Sequence, residues 1–404
     1  MLFLVAWRNI WRNKPRSLLV MTSVALGLWA GAFILAYVFG MIDQRLNDAI
    51  GNEISHLQLH HPQFEQDQDP GFFIPNGADW VDRLEENEQV QAVTGRVLAY
   101  GMVASANSST GGKLVGLIPE DEQTVTGLQD KIVEGDYLGN DDRNKILLGE
   151  QLAKKLKVKL RSKLVLTFQD TSGTIVAGAF RVMGIYKTTN TTFDETNIFT
   201  RAEDVRQLLG LEGEYHEIAV LLQDPNTVET FVQNLQAESS SVLVESWKTL
   251  APELGFMIES LDQYMVIFIV IILLALSFGI VNTMLMAILE RVREIGMLMA
   301  IGMNRTRLFG MITLETLFLV LIASPLGLLL AYLTIQWLGR YGLDLSGIYQ
   351  GYAAYGFQPI IYPHLAPIYY GRMMLMVAIA AILASIYPSI TAIRLNPVTA
   401  IRKI

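Results

Sequence analysis

Four stretches of this chain are too long and too poor in charge to be the surface of a water-soluble protein. Residues 17–42 carry no charged side chain over 26 positions, 264–289 none over 26, 373–393 none over 21, and 308–338 only Glu315 over 31. About 20 apolar residues cross the ~30 Å hydrocarbon core of a bilayer, so each stretch predicts a transmembrane helix. The third is longer than a crossing needs and contains Ser324-Pro325, which predicts a kink or a tilt. The first resembles a secretory signal in position. Its apolar run, however, exceeds the roughly 7–15 residues of such signals and no small-x-small site follows it, so a retained helix is expected.

The remainder is polar. Of 404 residues, 51% are hydrophobic and 17% charged, with a mean hydropathy of +0.33. That balance lies between an ordinary globular chain and one that is all membrane. It predicts a membrane α-helical protein with a large α+β extracytoplasmic domain, residues 43–260, between the first and second spans. Lysine and arginine set the orientation. Arg8, Arg12, Lys14 and Arg16 precede the first span; Arg291, Arg293, Arg305 and Arg307 lie between the second and third; Arg394, Arg402 and Lys403 follow the fourth. The short segment 339–372 on the other side has Arg340 and Arg372 alone. Both ends, 1–16 and 394–404, and the loop 290–307 are therefore expected on the cytoplasmic side of an inner (plasma) membrane, next to anionic lipid. Region 43–260 holds 18 basic and 34 acidic residues and accounts for the net charge of −8. That sign argues against nucleic acid as a partner. The absence of cysteine excludes disulfides, thiolate metal sites and cysteine nucleophiles.

The lead sequence MLFLVAWRNIWRN places Leu4, Trp7 and Trp11 on one helical face with Arg8 and Arg12 offset. This predicts an amphipathic helix in the membrane interface, or an extension of the first span. In the outer region, 54–60 alternates as a strand, 79–89 reads as a helix with Trp80 and Leu84 inward, and 91–106 as a long strand or hairpin. Further on, 145–157 contains a helix, 163–169 is a strand, and 174–187 a strand pair. Thr200 and Glu203 fit a capping box for a helix ending before Gly210. Residues 217–222 and 241–245 read as strands, and Asp224-Pro225 as the start of the helix between them. The middle, about 112–200, is rich in strands and reads as an insertion.

Motifs for chemistry are few. Gly111-Gly112-Lys113-Leu114 lacks the spacing and the Ser or Thr of a phosphate-binding loop. His56, His60 and His61 cluster on what reads as a surface strand, with no carboxylate or cysteine at metal spacing. The basic run Lys154, Lys155, Lys157, Lys159, Arg161 and Lys163 reads as a solvated face, or as a contact for an anionic partner or lipid. Glu315, inside a span, needs a partner such as Arg307 two turns back or an arginine on another helix. Seven tyrosines, Tyr341, Tyr349, Tyr352, Tyr355, Tyr362, Tyr369 and Tyr370, make 339–372 an aromatic interface belt. The most informative piece is ERVREIGMLMAIGMNRTR at 290–307. Ile295, Leu298 and Met299 form the apolar side of a short helix, Gly302 suits a turn, and Asn304 can open the next helix. Such a helix needs a protein partner, or lipid, to cover its apolar face.

One span, a large outer domain and three further spans resemble the permease subunits of the MacB/FtsX/LolC–LolE group of ABC transporters. REIGMLMAIGMNRTRLF resembles that group's coupling-helix signature, and RLNPVTAIR its C-terminus. AWRNIWRNKPRSLL and ISHLQLHHPQF resemble the lipoprotein-releasing branch. The resemblance covers essentially the whole chain. It implies an outer domain of the porter plus Sabre type and pairing with a second permease, as a homodimer or with a paralogue. It also implies a separate ATPase dimer, holding the ATP and Mg, that docks on Glu290, Arg291, Arg293, Glu294, Ile295, Met297, Leu298, Ala300, Gly302 and Met303. No catalytic residue or cofactor is expected in this chain. Cargo would be acylated protein passed to a periplasmic chaperone or adaptor, with Phe33, Tyr37, Met41, Met257, Tyr264 and Phe268 as acyl-chain contacts near the outer ends of the first two spans. The same resemblance leaves two other activities open: a MacB-like efflux or mechanotransmission permease, and an FtsX-like regulator of a cell-wall hydrolase. The segment 339–372 is longer than the group's pattern leads one to expect.

Overall fold

The computed structural model describes residues 2–239, 241–347 and 351–394, so most of the C-terminal motif, and Tyr349, lie outside the described residues. In chain order the first elements are α1 (Leu2–Arg12), α2 (Lys14–Ala49), β1 (Leu57–His60), α3 (Phe64–Asp67), α4 (Gly77–Glu85), β2 (Val90–Ala104), β3 (Ser109–Leu117), α5 (Pro119–Val125), β4 (Ile132–Gly135), β5 (Lys145–Gly149), α6 (Glu150–Leu156), β6 (Lys163–Gln169) and β7 (Ile175–Tyr186). They are followed by α7 (Thr191–Thr196), β8 (Asn197–Arg201), α8 (Ala202–Leu209), β9 (Glu217–Leu222), α9 (Val228–Glu238), β10 (Leu243–Ser246) and α10 (Trp247–Leu250). The chain continues with α11 (Pro252–Glu290), α12 (Val292–Ala300), α13 (Arg305–Tyr341), the strands β11 (Leu343–Asp344) and β12 (Ile360–Ile361), and α14 (Pro367–Ile393). It divides into a helical unit, residues 1–41, 260–344 and 360–404, and an α+β unit, residues 42–259 and 345–359.

Among the described residues four helices are long and apolar enough to cross a membrane: α2 with the π turn that follows it, α11, α13 and α14. Pro325 sits inside α13 without ending it. The helical unit is held by an apolar core that includes Val24, Leu28 and Leu35 of α2, Leu319, Val320 and Ala331 of α13, and Val377 and Ala381 of α14. Ile10 of α1 joins that core, while Phe3, Leu4, Trp7 and Trp11 are exposed. Phe3 and Trp7 also meet the ring of Phe318 on α13.

In the α+β unit the strand order β10-β1-β9-β2 is antiparallel throughout. The 15-residue strand β2 serves two structures. Its first half, from Val90 to Arg96, pairs with β9, and its second half, from Gly101 to Ala104, pairs with β6. Strands β2, β3, β8, β5, β7 and β6 pair successively and return to β2, closing a ring with no free edge inside it. Closure removes the exposed strand edge that an open sheet would present. The ring therefore takes in the end of β2 as well as the strand-rich middle. Its interior is filled by residues such as Leu114, Ile146, Leu148, Leu164, Leu166, Phe180 and Ile198.

Several local expectations change. Residues 174–187 form one long strand, β7, rather than a pair, because β5 and β6 flank it on both sides. Thr200 caps no helix: it lies in β8, and its hydroxyl donates to the Lys145 carbonyl at 2.8 Å. On α4, Val81 and Leu84 are buried, and Trp80, half-buried, packs against the same core. The histidines are not on a surface strand. β1 lies between β9 and β10, so its four residues are buried. His56 Nδ1 accepts from the Leu222 backbone at 2.9 Å, and burial lowers its pKa. The basic run from Lys154 to Lys163 is exposed. Asp224 does open a helical turn, accepting from the Asn226 backbone at 3.0 Å ahead of α9.

The tyrosine-rich segment is more than an interface belt. Tyr332 and Tyr370 meet edge to face within the helical unit. Residues 345–347 and 351–359, by contrast, belong to the α+β unit, although the chain before 345 and after 359 is helical-unit chain.

Candidate functional site

The segment between α11 and α13 is built by three local devices. Arg291, with φ −109° and ψ 20°, breaks the helix between α11 and α12. Gly302 adopts φ +100°, a conformation open to glycine, and the Met303 amide closes back on the Leu298 carbonyl at 3.0 Å. Asn304 then caps α13 by accepting from the Thr306 backbone at 3.3 Å.

The orientation of α12 differs from the sequence expectation. Val292, Ile295 and Gly296 are buried, and Leu298, Met299 and Met303 pack against the core of the helical unit. The apolar side that seemed to need a partner is thus covered by the chain itself. The free face consists of Arg293, Met297 and Ala300, followed by Ile301, which is 85% exposed. Their i, i+4, i+7, i+8 spacing sets them on one side of the helix. An exposed methionine and isoleucine beside one cation form a small apolar patch with a charged rim.

The other charges are used internally. Arg291 Nε donates to Glu294 at 3.0 Å, and its terminal nitrogen lies 3.3 Å from Glu315. Glu294 also pairs with Arg12 of α1, and Glu290 with Arg16 of α2. The hydrogen bond from Arg12, and then that from Arg291, hold the Glu294 carboxyl below the usual carboxylate range. Glu315 is therefore partnered by Arg291 and not by Arg307, which is exposed. Eight residues of helix separate Arg307 and Glu315 by about 12 Å, whereas Arg291 stands just past the end of α11. Arg291→Met would strand the buried carboxylate, so we expect a loss of roughly 3 kcal/mol, read as a lower melting temperature in detergent. Adding Glu315→Gln should recover most of it.

The six residues assigned to acyl-chain contact are divided between the two units. Phe33 stacks on Trp29 with ring centroids 6.4 Å apart, and Tyr37 and Met41 are half-buried on the same helix. Tyr264 and Phe268 are exposed on α11. Met257 is half-buried and packs against the core of the α+β unit. Sequence reading missed an apolar hollow of about 460 Å³ between α11 and α14, lined by residues including Val270, Leu273, Leu274, Met376, Ile379 and Leu383. Apolar residues on two spans carry no mark in the sequence that they face each other.

The α+β unit has a cleft of about 700 Å³ bordered by Phe64, Leu98, Tyr100, Lys113, Phe193 and Glu217. Behind it, buried Arg96 donates to Glu122 at 2.7 and 2.9 Å and to Glu217 at 2.5 Å, and Lys113 lies 3.8 Å from Glu217. Two cations balance two carboxylates, so this cluster adds no net charge to the cleft. No group of His, Asp and Glu able to hold a metal occurs among the described residues.

The model of the FtsX-like permease C-terminal region matches residues 266–397, and that of the MacB-like periplasmic core domain matches residues 17–238. The chain is 24% identical over 312 residues to the lipoprotein-releasing system transmembrane protein LolC of Neisseria meningitidis, covering 72% of this chain and 71% of that one. It is 26% identical over 352 residues to an ABC transporter permease of Methanocaldococcus jannaschii, covering 82% of each. The crystal structure of the periplasmic region of MacB from Actinobacillus actinomycetemcomitans superposes with a TM-score of 0.38 at 15% identity, over 52% of this chain and 98% of that one. Four membrane-spanning helices, a MacB-like core domain after the first and an FtsX-like region over the last three make this chain a member of the ABC transporter permeases of the MacB/LolC/FtsX type.

Proposed function

We propose that this chain is the permease of a lipoprotein-releasing transporter. A cytoplasmic ATPase dimer docks on the free face of α12, and a second permease, a copy or a paralogue, completes the membrane unit. ATP-driven closure of the ATPases moves the spans and with them the periplasmic domain. An acylated protein leaves the outer leaflet of the inner membrane during that movement and passes to a periplasmic carrier. The observation that carries the ATPase assignment is the exposed patch Arg293, Met297, Ala300 and Ile301 on a helix whose other side is already buried. The choice of cargo is supported by the likeness to LolC over most of both chains. Phe33, Tyr37, Tyr264 and Phe268 on the first two spans are the proposed acyl-chain contacts. The hollow between α11 and α14 is a further place where an acyl chain fits.

Purification of the chain with its native ATPase in mild detergent, followed by mass spectrometry, tests this. An acylated lipoprotein near one per complex is the expected result. An ATPase accompanied by a periplasmic adaptor or a cell-wall hydrolase, with no lipoprotein, would transfer the assignment to mechanotransmission.

A further inference from the structure

The segment between α13 and α14 is a loop with pinned ends. β11 and β12 pair Leu343 with Ile361 and Asp344 with Ile360, and the Leu345 amide donates to the Pro359 carbonyl at 2.8 Å. Chain that leaves and returns at one point is the geometry of an Ω-loop. The body of this loop is seated on the α+β unit by polar contacts. The Thr192 hydroxyl donates to the Ala354 carbonyl at 3.2 Å. Arg45, itself only 6% exposed, donates through Nε to the Tyr355 carbonyl at 2.8 Å while its two terminal nitrogens bind Glu53 at 3.0 and 3.4 Å. The Gln358 amide nitrogen donates to Asp48 at 2.8 Å, and its oxygen accepts from Gln44 at 2.8 Å.

The seat is shaped for this loop. Gly356 has φ +75°, and a Cβ there would lie 2.6 Å from Arg45 Nε, so a side chain would be both strained and in collision. Ala353 is buried. Glu53 is shared: it also accepts from Asn190, next to α7. Buried, charge-assisted bonds to backbone carbonyls are directional and costly to leave unmade. An aromatic belt resting in headgroups would need none of them.

We infer that residues 351–359 are a strap that fastens the link between the third and fourth spans to the domain between the first and second. Movement of α13 and α14 then reaches the α+β domain through the strap as well as through the helices that enter and leave it. The inference rests on the ABC-permease reading and is independent of the cargo.

The chain has no cysteine, so engineered thiols are unambiguous. In the assembled complex, Gln44→Cys with Gln358→Cys should be joined by a short bis-maleimide cross-linker in most molecules, both with and without trapped nucleotide. Spin labels at Ile175→Cys and Tyr341→Cys, both highly exposed positions, report the distance between domain and third span. The parent complex should show a nucleotide-dependent shift. Gln358→Glu sets a carboxylate against Asp48 and should abolish at least half of that shift with ATP hydrolysis retained. Asp48→Asn in the same chain should restore it. Gly356→Val, which alters the loop alone, should behave like Gln358→Glu. A full shift in Gln358→Glu and Gly356→Val, or absence of the cross-link, would overturn the strap. A parent with no shift on nucleotide would instead count against ATP-driven motion itself.

Discussion

Arg293→Glu combined with Met297→Asp is expected to lower ATP hydrolysis by the assembled transporter at least tenfold and to weaken recovery of the ATPase with the permease. Tenfold corresponds to about 1.4 kcal/mol, a modest demand on two residues central to an interface. Both side chains point away from the protein's own core, so the melting temperature of the isolated permease should stay within about 2 °C of the parent. The control is Glu294→Lys. Glu294 lies on the same short helix but is held by Arg12 and Arg291. Its replacement should disturb the junction of α1 with α12 and leave the docking patch intact. An ATPase that binds and hydrolyses normally with the Arg293/Met297 double variant would remove α12 as the docking element.

The largest loss of stability is expected from Arg96→Met. Arg96 and Glu217 face each other across β2 and β9, and Arg96 also holds Glu122, which accepts from Thr126 at 2.9 Å as well. All three charged residues are buried. Removing the guanidinium leaves two carboxylates in the interior, at a cost of about 3–5 kcal/mol. Denaturant unfolding followed by the fluorescence of Trp80 and Trp247 would show it. Adding Glu122→Gln and Glu217→Gln should restore much of the difference; if it does not, loss of packing rather than of charge is the cause.

The same cluster predicts an acid limit. Burial alone would raise the Glu217 pKa, but Lys113 and Arg96 overcome it and hold the carboxyl at about 2. A pKa depressed in the folded state gives stability that is complete above the unfolded value of about 4.3 and is lost as pH falls towards 2. The domain should therefore unfold more readily between pH 4 and 2, and Glu217→Gln should flatten that part of the profile.

The spans were legible because a bilayer imposes one requirement, some twenty uncharged residues, that a run of sequence meets or fails on its own. The break at Gly302 and the cap at Asn304 were legible for a similar reason: both are decided within a few residues. The facing of α12 was not. Ile295, Leu298 and Met299 give the same periodic pattern whether they cover a partner or their own bundle, and only the packing of α12 beside α11 and α13 decides. His56 and His60, before and at the end of β1, looked superficial because a four-residue strand gives no sign that β9 and β10 will enclose it. Arg96 carried no signal at all, since its partner Glu217 is 121 residues away. The tyrosines of 339–372 read as an interface belt by composition, yet a backbone carbonyl and one glycine, which composition does not register, seat residues 355–356 on Arg45. The sequence by itself determined the four candidate spans and the class of transporter, because both rest on local patterns of apolarity and motif. The tertiary structure alone decided which face of α12 is free, which charges are spent internally and where the outer loop is fastened, because each depends on what long-range folding brings to within a few ångströms.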